Sequence, residues 1–461
     1  MSPVAGRLRY DHEAIRSAPD LAAAGKAARR TLPRSRLADY AAPPHRDPVG
    51  ILRQQHAQRV PELIPLRLER MTANPFAFYR GSAAIQAADL KDSPHTGADV
   101  TMCGDAHLAN FGIFASPERA LVFDLNDFDE AAYGPWEWDV KRFVTSVVIA
   151  ARSRGFKEPK VQTAAVEAAS AYRAAIRQIT DLDVLERYYV RADPTRSQRN
   201  AGSQKVVDRA LKAAAKRTSA RVMSKITETA PDGSITIIEN PPVLMHVAEA
   251  TEHNVLAILD SYKRTVSADI AVLLSQYVPT DAVRRVVGVG SVGTRCYIIV
   301  LTGPSGEPLV LQVKEATESV VVQHGGATAG RSPAFADQAD ASEHGHRVVA
   351  NQHVLQAVSD PFLGWASMAG HAFYVRQFRD RNVSIDTETL DFRSFADYAD
   401  ACGTVLARAH AQSPNAPFIA GYLGTSTAFD EAIAAWSNAY ADQALEDFHT
   451  VSEAVEKGLF N

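Results

Sequence analysis

The chain has 461 residues, 46% hydrophobic and 22% charged. That balance supports a large buried core and excludes a disordered chain, a collagen-like repeat and a mini-protein held by disulfides. Lys and Arg number 49 against 53 Asp and Glu, a net charge of −4, so no basic excess marks nucleic acid as the partner, although a few local cations can still hold an anionic small molecule.

The cysteines, Cys103, Cys296 and Cys402, are odd in number and far apart. Neither a disulfide framework nor a CxxC metal site is indicated, which suits a reducing compartment. There is no apolar run of membrane-spanning length, and the N-terminus lacks the apolar centre of a secretory signal. The expectation is therefore a cytoplasmic protein with no membrane partner.

Residues 1–60 are basic, alanine-rich and punctuated by proline. They read as a loosely ordered arm with short helices. From Ile51 to Met71 the apolar spacing is helical, with Leu63, Ile64, Leu66 and Leu68 set among basic residues. NPFAFYRGSA follows as a turn and an aromatic segment. Residues 98–126 read as strand, loop, strand, with the short apolar runs of buried strands. Residues 136–180 are helical in pattern, and 180–280 are mostly helical and charged, with a small hairpin turning at P-D-G-S. Residues 284–315 alternate as a glycine-interrupted hairpin with a second turn at G-P-S-G-E. The polar segment 321–345 reads as a loop, 346–358 as a helix and HAFYVRQFRD as a strand. FADYADACGTVLARAHAQ is an amphipathic helix, and 428–456 supplies one or two more.

Two constellations carry chemistry. The first joins Gly104-Asp105-Ala106-His107-Leu108-Ala109-Asn110 to Asp127-Phe128-Asp129-Glu130. Hard oxygen donors grouped in this way suit Mg²⁺, which takes one or two carboxylates and completes its shell with phosphate oxygens. Phosphoryl transfer needs an Asp to accept a hydroxyl proton and an Asn and an Asp to hold metal. The Asp105-to-Asn110 spacing matches D-x-x-x-x-N. The plain alternative is that Asp and Asn are common turn residues. His107 either orients this loop or contacts phosphate, and a structural loop histidine is the other reading.

The second constellation is Gly288-Val289-Gly290-Ser291-Val292-Gly293, followed by the strand LVLQVKEA with Lys314. The flanks are strand-like on both sides, so strand–glycine loop–strand fits better than a Rossmann turn. Backbone N–H groups of such a loop can cover phosphates, and Lys314 can contact them. A tight hairpin with bulge glycines and an outward lysine is the plain alternative. The acidic or amide residue that would orient Lys314 stays open among Glu315, Glu318, Glu343, Gln352 and Gln356. Arg80 binds an anion or, as the plainer reading, pairs with a buried carboxylate. Trp136 and Trp138 read as core, Asp139 as a brace for the loop, and Arg376 and Arg379 as strand-surface charges.

RMTANPFAFYRG, CGDAHLANFG, FDLNDFDEAAYGPWEWDVKR, GVGSVGTRCY, LQVKEA and FYVRQFRD together resemble the bacterial "domain of unknown function 2252" family over about residues 30–455. That family's name implies no activity. GDAHLANF is also similar to the G-D-x-H-x-x-N loop of aminoglycoside phosphotransferases and choline kinases, NDFDEAAYGPWEWDV to their metal-binding segment, and LARAHA at 406–411 to the helix before the catalytic loop. That resemblance implies Asp105 as base, Asn110 and Asp127 as Mg²⁺ ligands, Asp129 as a further ligand and Asp139 as the brace.

The glycine loop and lysine precede the catalytic loop in those enzymes but follow it here. The resemblance therefore implies an α+β, two-lobed, protein-kinase-like fold in circularly permuted order. Residues 1–50 form the arm, 51–283 the first part of the helical lobe, 284–380 the β-rich nucleotide lobe and 381–461 the returning helices. The implied function is ATP- and Mg²⁺-dependent phosphoryl transfer to a hydroxyl of a small-molecule or protein acceptor. The rivals are AMP transfer to a protein hydroxyl, silent nucleotide binding, and a metal-dependent hydrolase in which Gly288–Gly293 and Lys314 are dispensable.

Overall fold

A computed structural model describes residues 16–192, 201–216, 223–224, 226–229, 235–327, 344–378 and 383–460. Residues 1–15 of the expected arm, the P-D-G-S turn at 231–234, most of the polar segment 321–345, Glu343 and Arg379 lie outside them.

The fold is mixed α+β. Its larger part is helical and is built on Trp136–Ser153, Glu158–Thr180, Phe392–His410, Ala416–Leu423 and Ala428–Glu456. Their apolar faces share one core with the strands nearest them. The 428–456 region is a single helix. From residue 16 onward the expected arm is less loose than its composition suggests. Helix Ala18–Ala28 packs on Ala416–Leu423. A Cβ on Gly25 would stand 2.0 Å from the Phe418 carbonyl oxygen, and one on Gly421 would stand 2.1 Å from that of Ala22. Glycine at both positions is what lets the two backbones approach so closely.

The smaller part is a sheet. Among the described residues, six antiparallel strands lie in the order Gly364–Met368, His371–Gln377, Pro308–Ala316, Cys296–Thr302, Val278–Arg285, Leu244–Met245. The sheet therefore begins before residue 284, inside the region expected to be helical. Pro279 and the register shift between Pro279 and Asp281 interrupt the alternation there and mask the strand in the sequence. The aromatic segment after Asn74, expected to follow a turn, is the helix Pro75–Gly81, whose first turn is capped by Asn74 accepting from Ala77 N at 2.8 Å.

Strand periodicity sorts the sheet's side chains. Ile299, Leu301, Leu309, Leu311, Val313, Phe373 and Val375 pack against helix Glu252–Lys263. On the other face Ile298, Val300, Val310 and Phe378 are apolar. That face turns polar toward the helical part, where Cys296 and Tyr374 flank Lys314 in register and Arg376 stands opposite Gln312.

Two short sheets position the loops of the first constellation. Asp99–Met102 pairs with Ala132–Pro135, Met102 opposite Ala132. Phe111–Ala115 pairs with Leu121–Leu125, Phe111 opposite Leu125, and Val383–Ser384 adds an edge. The hairpin register brings its two open ends together, and Asn126 N donates to the Asn110 carbonyl at 2.9 Å.

Candidate active site

The Gly104–Asn110 loop is fixed from below. Asp139, in the first turn of helix Trp136–Ser153, is fully buried and accepts from Cys103 N at 2.6 Å and Gly104 N at 2.9 Å. His410 donates from Nε2 to the same carboxylate at 3.1 Å, which leaves its Nδ1 to accept from the Tyr172 hydroxyl at 2.8 Å. Gly104 holds φ +77°, and a Cβ there would stand 2.0 Å from the Glu130 carbonyl oxygen. Glycine is required by both conformation and contact.

Within the loop, Arg142 donates to Asp105 Oδ1 at 2.8 Å, and Asp105 Oδ2 lies 3.7 Å from His107 Nε2. Burial pushes Asp105 above the usual carboxylate range despite Arg142. Burial, with Arg80 and Arg142 nearby, pushes His107 well down, so its ring is neutral. His107 shapes the loop through its backbone, donating to the Asp105 carbonyl at 2.8 Å and accepting from Asn110 N at 2.9 Å. The Asn110 amide donates to the Asp105 carbonyl at 2.7 Å.

Lys314 reaches this loop region from the sheet. It is 2% exposed and pairs with Asp129, 185 residues away in sequence, and with Asp127 Oδ1 at 3.9 Å. Burial alone would lower Lys314, but the two carboxylates outweigh it and raise it well above the usual lysine range. Burial and the neighbouring Asp129 raise Asp127. Burial would also raise Asp129, but the Lys314 ammonium and hydrogen bonds from Lys314 and from Tyr374 (2.9 Å) hold it below the usual range. The orienting acid expected near Lys314 is thus a loop aspartate. Helix His344–Leu355 contributes Arg347 instead, which donates to the Ala131, Asp129 and Thr317 carbonyls at 2.6, 2.7 and 2.8 Å. Glu315 is engaged by Arg295 and His371. Gln352 donates to Gln356 at 2.8 Å, and Gln356 to the Leu125 carbonyl at 2.6 Å.

The glycine loop closes over the junction. It joins Val278–Arg285 to Cys296–Thr302, with Gly288 at φ +63° and Gly293 at φ +90°. Gly288 and Ser291 border two cavities, one on each side of Asp127. The larger, about 370 Å³, also holds Lys314, Arg376, Gln312 and Gln356. The smaller, about 90 Å³, also holds Gly290, Asp105, His107, Asn110 and Asp129. Gly293 is turned toward Arg59, and its carbonyl accepts from Val60 N at 2.8 Å.

Asp105, His107, Asn110, Asp127, Asp129, Gly288, Gly290, Ser291 and Lys314 thus line the two adjoining cavities, and Gly293 lies at their edge. Arg376 is not a surface charge. It donates to Gln312 at 3.0 Å and to the Asn126 carbonyl at 3.3 Å. Arg80 forms no ion pair with a carboxylate among the described residues, so the pairing expected for it is not made. Arg59, Arg67 and Arg142 were not legible as site residues. The signal for Arg67 was its helical spacing from Leu63 and Met71, which sets it on the buried stripe.

Asp127, Asp129 and Asn110 are the donors that fit Mg²⁺. The set is small and all-oxygen, and an ammonium already lies between the carboxylates. Two carboxylates and an amide suit an ion that completes its shell with phosphate oxygens and water. Among the described residues no three His, Cys, Asp or Glu side chains gather as a metal cage.

The fold and site define an α+β protein in which a helical part and an antiparallel sheet meet at a polar, carboxylate- and cation-lined cleft. The chain belongs to the family described as uncharacterized protein conserved in bacteria (DUF2252), which matches residues 59–454. No curated protein and no solved structure matches it. Among the described residues no helix is long and apolar enough to cross a membrane.

Proposed function

We propose that the chain transfers a phosphoryl group from ATP, with Mg²⁺, to a hydroxyl of an acceptor, in a protein-kinase-like fold of permuted chain order. The observation that carries this reading is the pairing of Lys314 with Asp129 under the glycine loop. It joins the lysine strand after a glycine loop to the aspartate loop after a D-x-x-x-x-N segment, the parts phosphoryl transfer requires. The order of the sheet supports the same reading. The glycine-loop hairpin leads directly into the lysine strand, and helix His344–Leu355 lies against that strand before the last two strands are added.

In this reading the larger cavity receives the nucleotide, with Lys314 and Arg376 facing its phosphates and Gly288 and Ser291 above them. Asp127, Asp129 and Asn110 would hold Mg²⁺, which would neutralise charge on the phosphate oxygens. Lys314 then shifts from the carboxylates toward phosphate. Asp105 Oδ2 accepts the acceptor's hydroxyl proton while Arg142 holds Oδ1, and its raised pKa suits a general base. The neutral His107 adds no charge beside it.

The test is calorimetric titration of ATP with and without Mg²⁺ into wild type and Asp127→Ala, followed by incubation with ATP labelled at the α- or γ-phosphate. Magnesium-dependent binding lost in the variant, with label transferred from the γ position, is expected. Transfer of α-label assigns AMP transfer instead, and no ATP binding to the wild type overturns the reading.

A further inference from the structure

The smaller cavity is lined on one side by Arg59, Arg67 and Arg80, which the phosphotransfer reading leaves without a role. Arg67 is 0% exposed. Its Nη2 donates to Gln55 Oε1 at 3.1 Å and to the Gly81 carbonyl at 3.2 Å, while Nε and Nη1 have no partner. Arg80 Nε is buried without a partner. Arg59 Nη1 donates to the Val292 carbonyl. Among the described residues none of the three forms an ion pair with a carboxylate.

The five carboxylates that share the cavity are engaged elsewhere: Asp105 by Arg142, Asp127 and Asp129 by Lys314, Glu130 by the Val320 N–H, and Glu315 by Arg295 and His371. Burial lowers all three arginines, Arg59 to about 10 and Arg67 well below its ordinary value. A buried unpaired charge costs far more than a neutral hydrogen bond returns. The two bonds of Arg67 do not offset its burial. An arrangement of this kind is completed by an anion.

We propose that Arg59, Arg67 and Arg80 form a binding site for an oxyanion, a phosphate or carboxylate group carried by the acceptor, beside Asp105. Guanidinium forks suit such groups better than ammonium does. The cavity, about 90 Å³, has room for one tetrahedral oxyanion. The arginines come from the turn after helix Pro48–His56 and from helices Ile64–Met71 and Pro75–Gly81, and this same segment holds the glycine loop. Arg70 donates to the Gly288 carbonyl at 2.9 Å, and the Arg80 carbonyl stands 3.2 Å from where a Cβ on Gly290 would lie. Occupancy of the anion site therefore bears on the loop over the nucleotide. That the anion belongs to an acceptor rests on the phosphotransfer reading; that a site for it exists does not.

The experiment is calorimetric titration of inorganic phosphate into the full chain, alone and saturated with a non-hydrolysable ATP analogue, using wild type, Arg67→Met and Arg80→Gln. Phosphate should bind the wild type in both states and at least tenfold more weakly in either variant. Arg67→Met without phosphate should melt no lower than wild type, because an apolar side chain replaces an uncompensated charge. If the analogue displaces phosphate and Arg67→Met weakens the analogue equally, the anion is the nucleotide's own terminal phosphate, which overturns the acceptor assignment. Phosphate that fails to bind the wild type, or binds the variants equally well, overturns the site. ATP bound normally without phosphate binding would leave phosphotransfer standing. Phosphate bound without ATP binding would leave the anion site and remove phosphotransfer.

Discussion

The two sides of the cleft handle buried positive charge in opposite ways. On the sheet side, Lys314 is enclosed and answered by two carboxylates and a polar register of neighbours. On the side of the N-terminal helices, Arg67 is enclosed at least as deeply and answered by one amide and one carbonyl. The first cation contributes to the fold as it stands, because its loss would strand two carboxylates. The second is a cost the fold carries until an anion arrives. Burial alone does not distinguish a charge answered within the fold from one left unanswered; the partner count does.

The largest expected effect separates the groups at the reacting atoms from those that only bind. Asp105→Asn should lower ATP turnover by about 10²–10⁴-fold, the usual worth of a positioned general base, with affinity for an ATP analogue unchanged. Arg67→Met should act mainly on KM for an anionic acceptor. Initial rates with γ-labelled ATP measure both, and a KM effect at Asp105 would blur the division. Next in size is stability. Lys314→Met should lower unfolding stability by about 3 kcal/mol, the lower end for a broken buried pair because Asp127 and Asp129 are partly wet, while Arg67→Met lowers it not at all. Urea midpoints at equal slope compare the two. Equal losses would break the contrast.

The sheet side was the more legible in sequence because its chemistry lies in short consecutive segments. Gly104–Asn110, Asp127–Glu130, Gly288–Gly293 and Lys314 could each be read alone. What joins them is long-range. The candidates for the partner of Lys314, Glu315 to Gln356, all follow it closely in sequence, but the partner lies in a loop 185 residues upstream, brought there by the docking of sheet on helices. The arginine side was masked by composition. Arg59 and Arg67 sit in a basic stretch, where a lysine or arginine is ordinarily a solvated charge, and only the i, i+4 spacing of Leu63, Arg67 and Met71 hinted otherwise. Strand Val278–Arg285 escaped because its bulge breaks the period of two.

The brace beneath both sides should matter less than Lys314. Asp139→Asn keeps shape but leaves one acceptor oxygen for three donors: Cys103 N, Gly104 N and His410 Nε2. Its new NH₂ faces at least one of them. Losing a charge-assisted bond of this kind costs about 2 kcal/mol, which a urea midpoint would show. If the loop were held instead by the Leu108 N to Ser146 bond, at 3.0 Å, Asp139→Asn would leave turnover untouched.

A further effect is on the slope of stability with pH, at Glu130, which lines the arginine cavity and accepts from Val320 N at 2.6 Å. Burial, with Asp129 and Asp105 nearby, pushes its carboxyl from 4.5 up to about 7. Between these values the folded chain keeps a proton that the unfolded chain has released. The Glu130 contribution is therefore most favourable below pH 4.5 and is lost as pH rises toward 7. Glu130→Gln removes that fall, so the gap between variant and wild-type melting temperatures should widen in the variant's favour across this window and level off above it. A gap that stays flat across this window would instead mean that Glu130 is ionised throughout it, held so by the guanidiniums of Arg59 and Arg67. The arginine side of the cleft would then be answered from within, and its contrast with Lys314 would disappear.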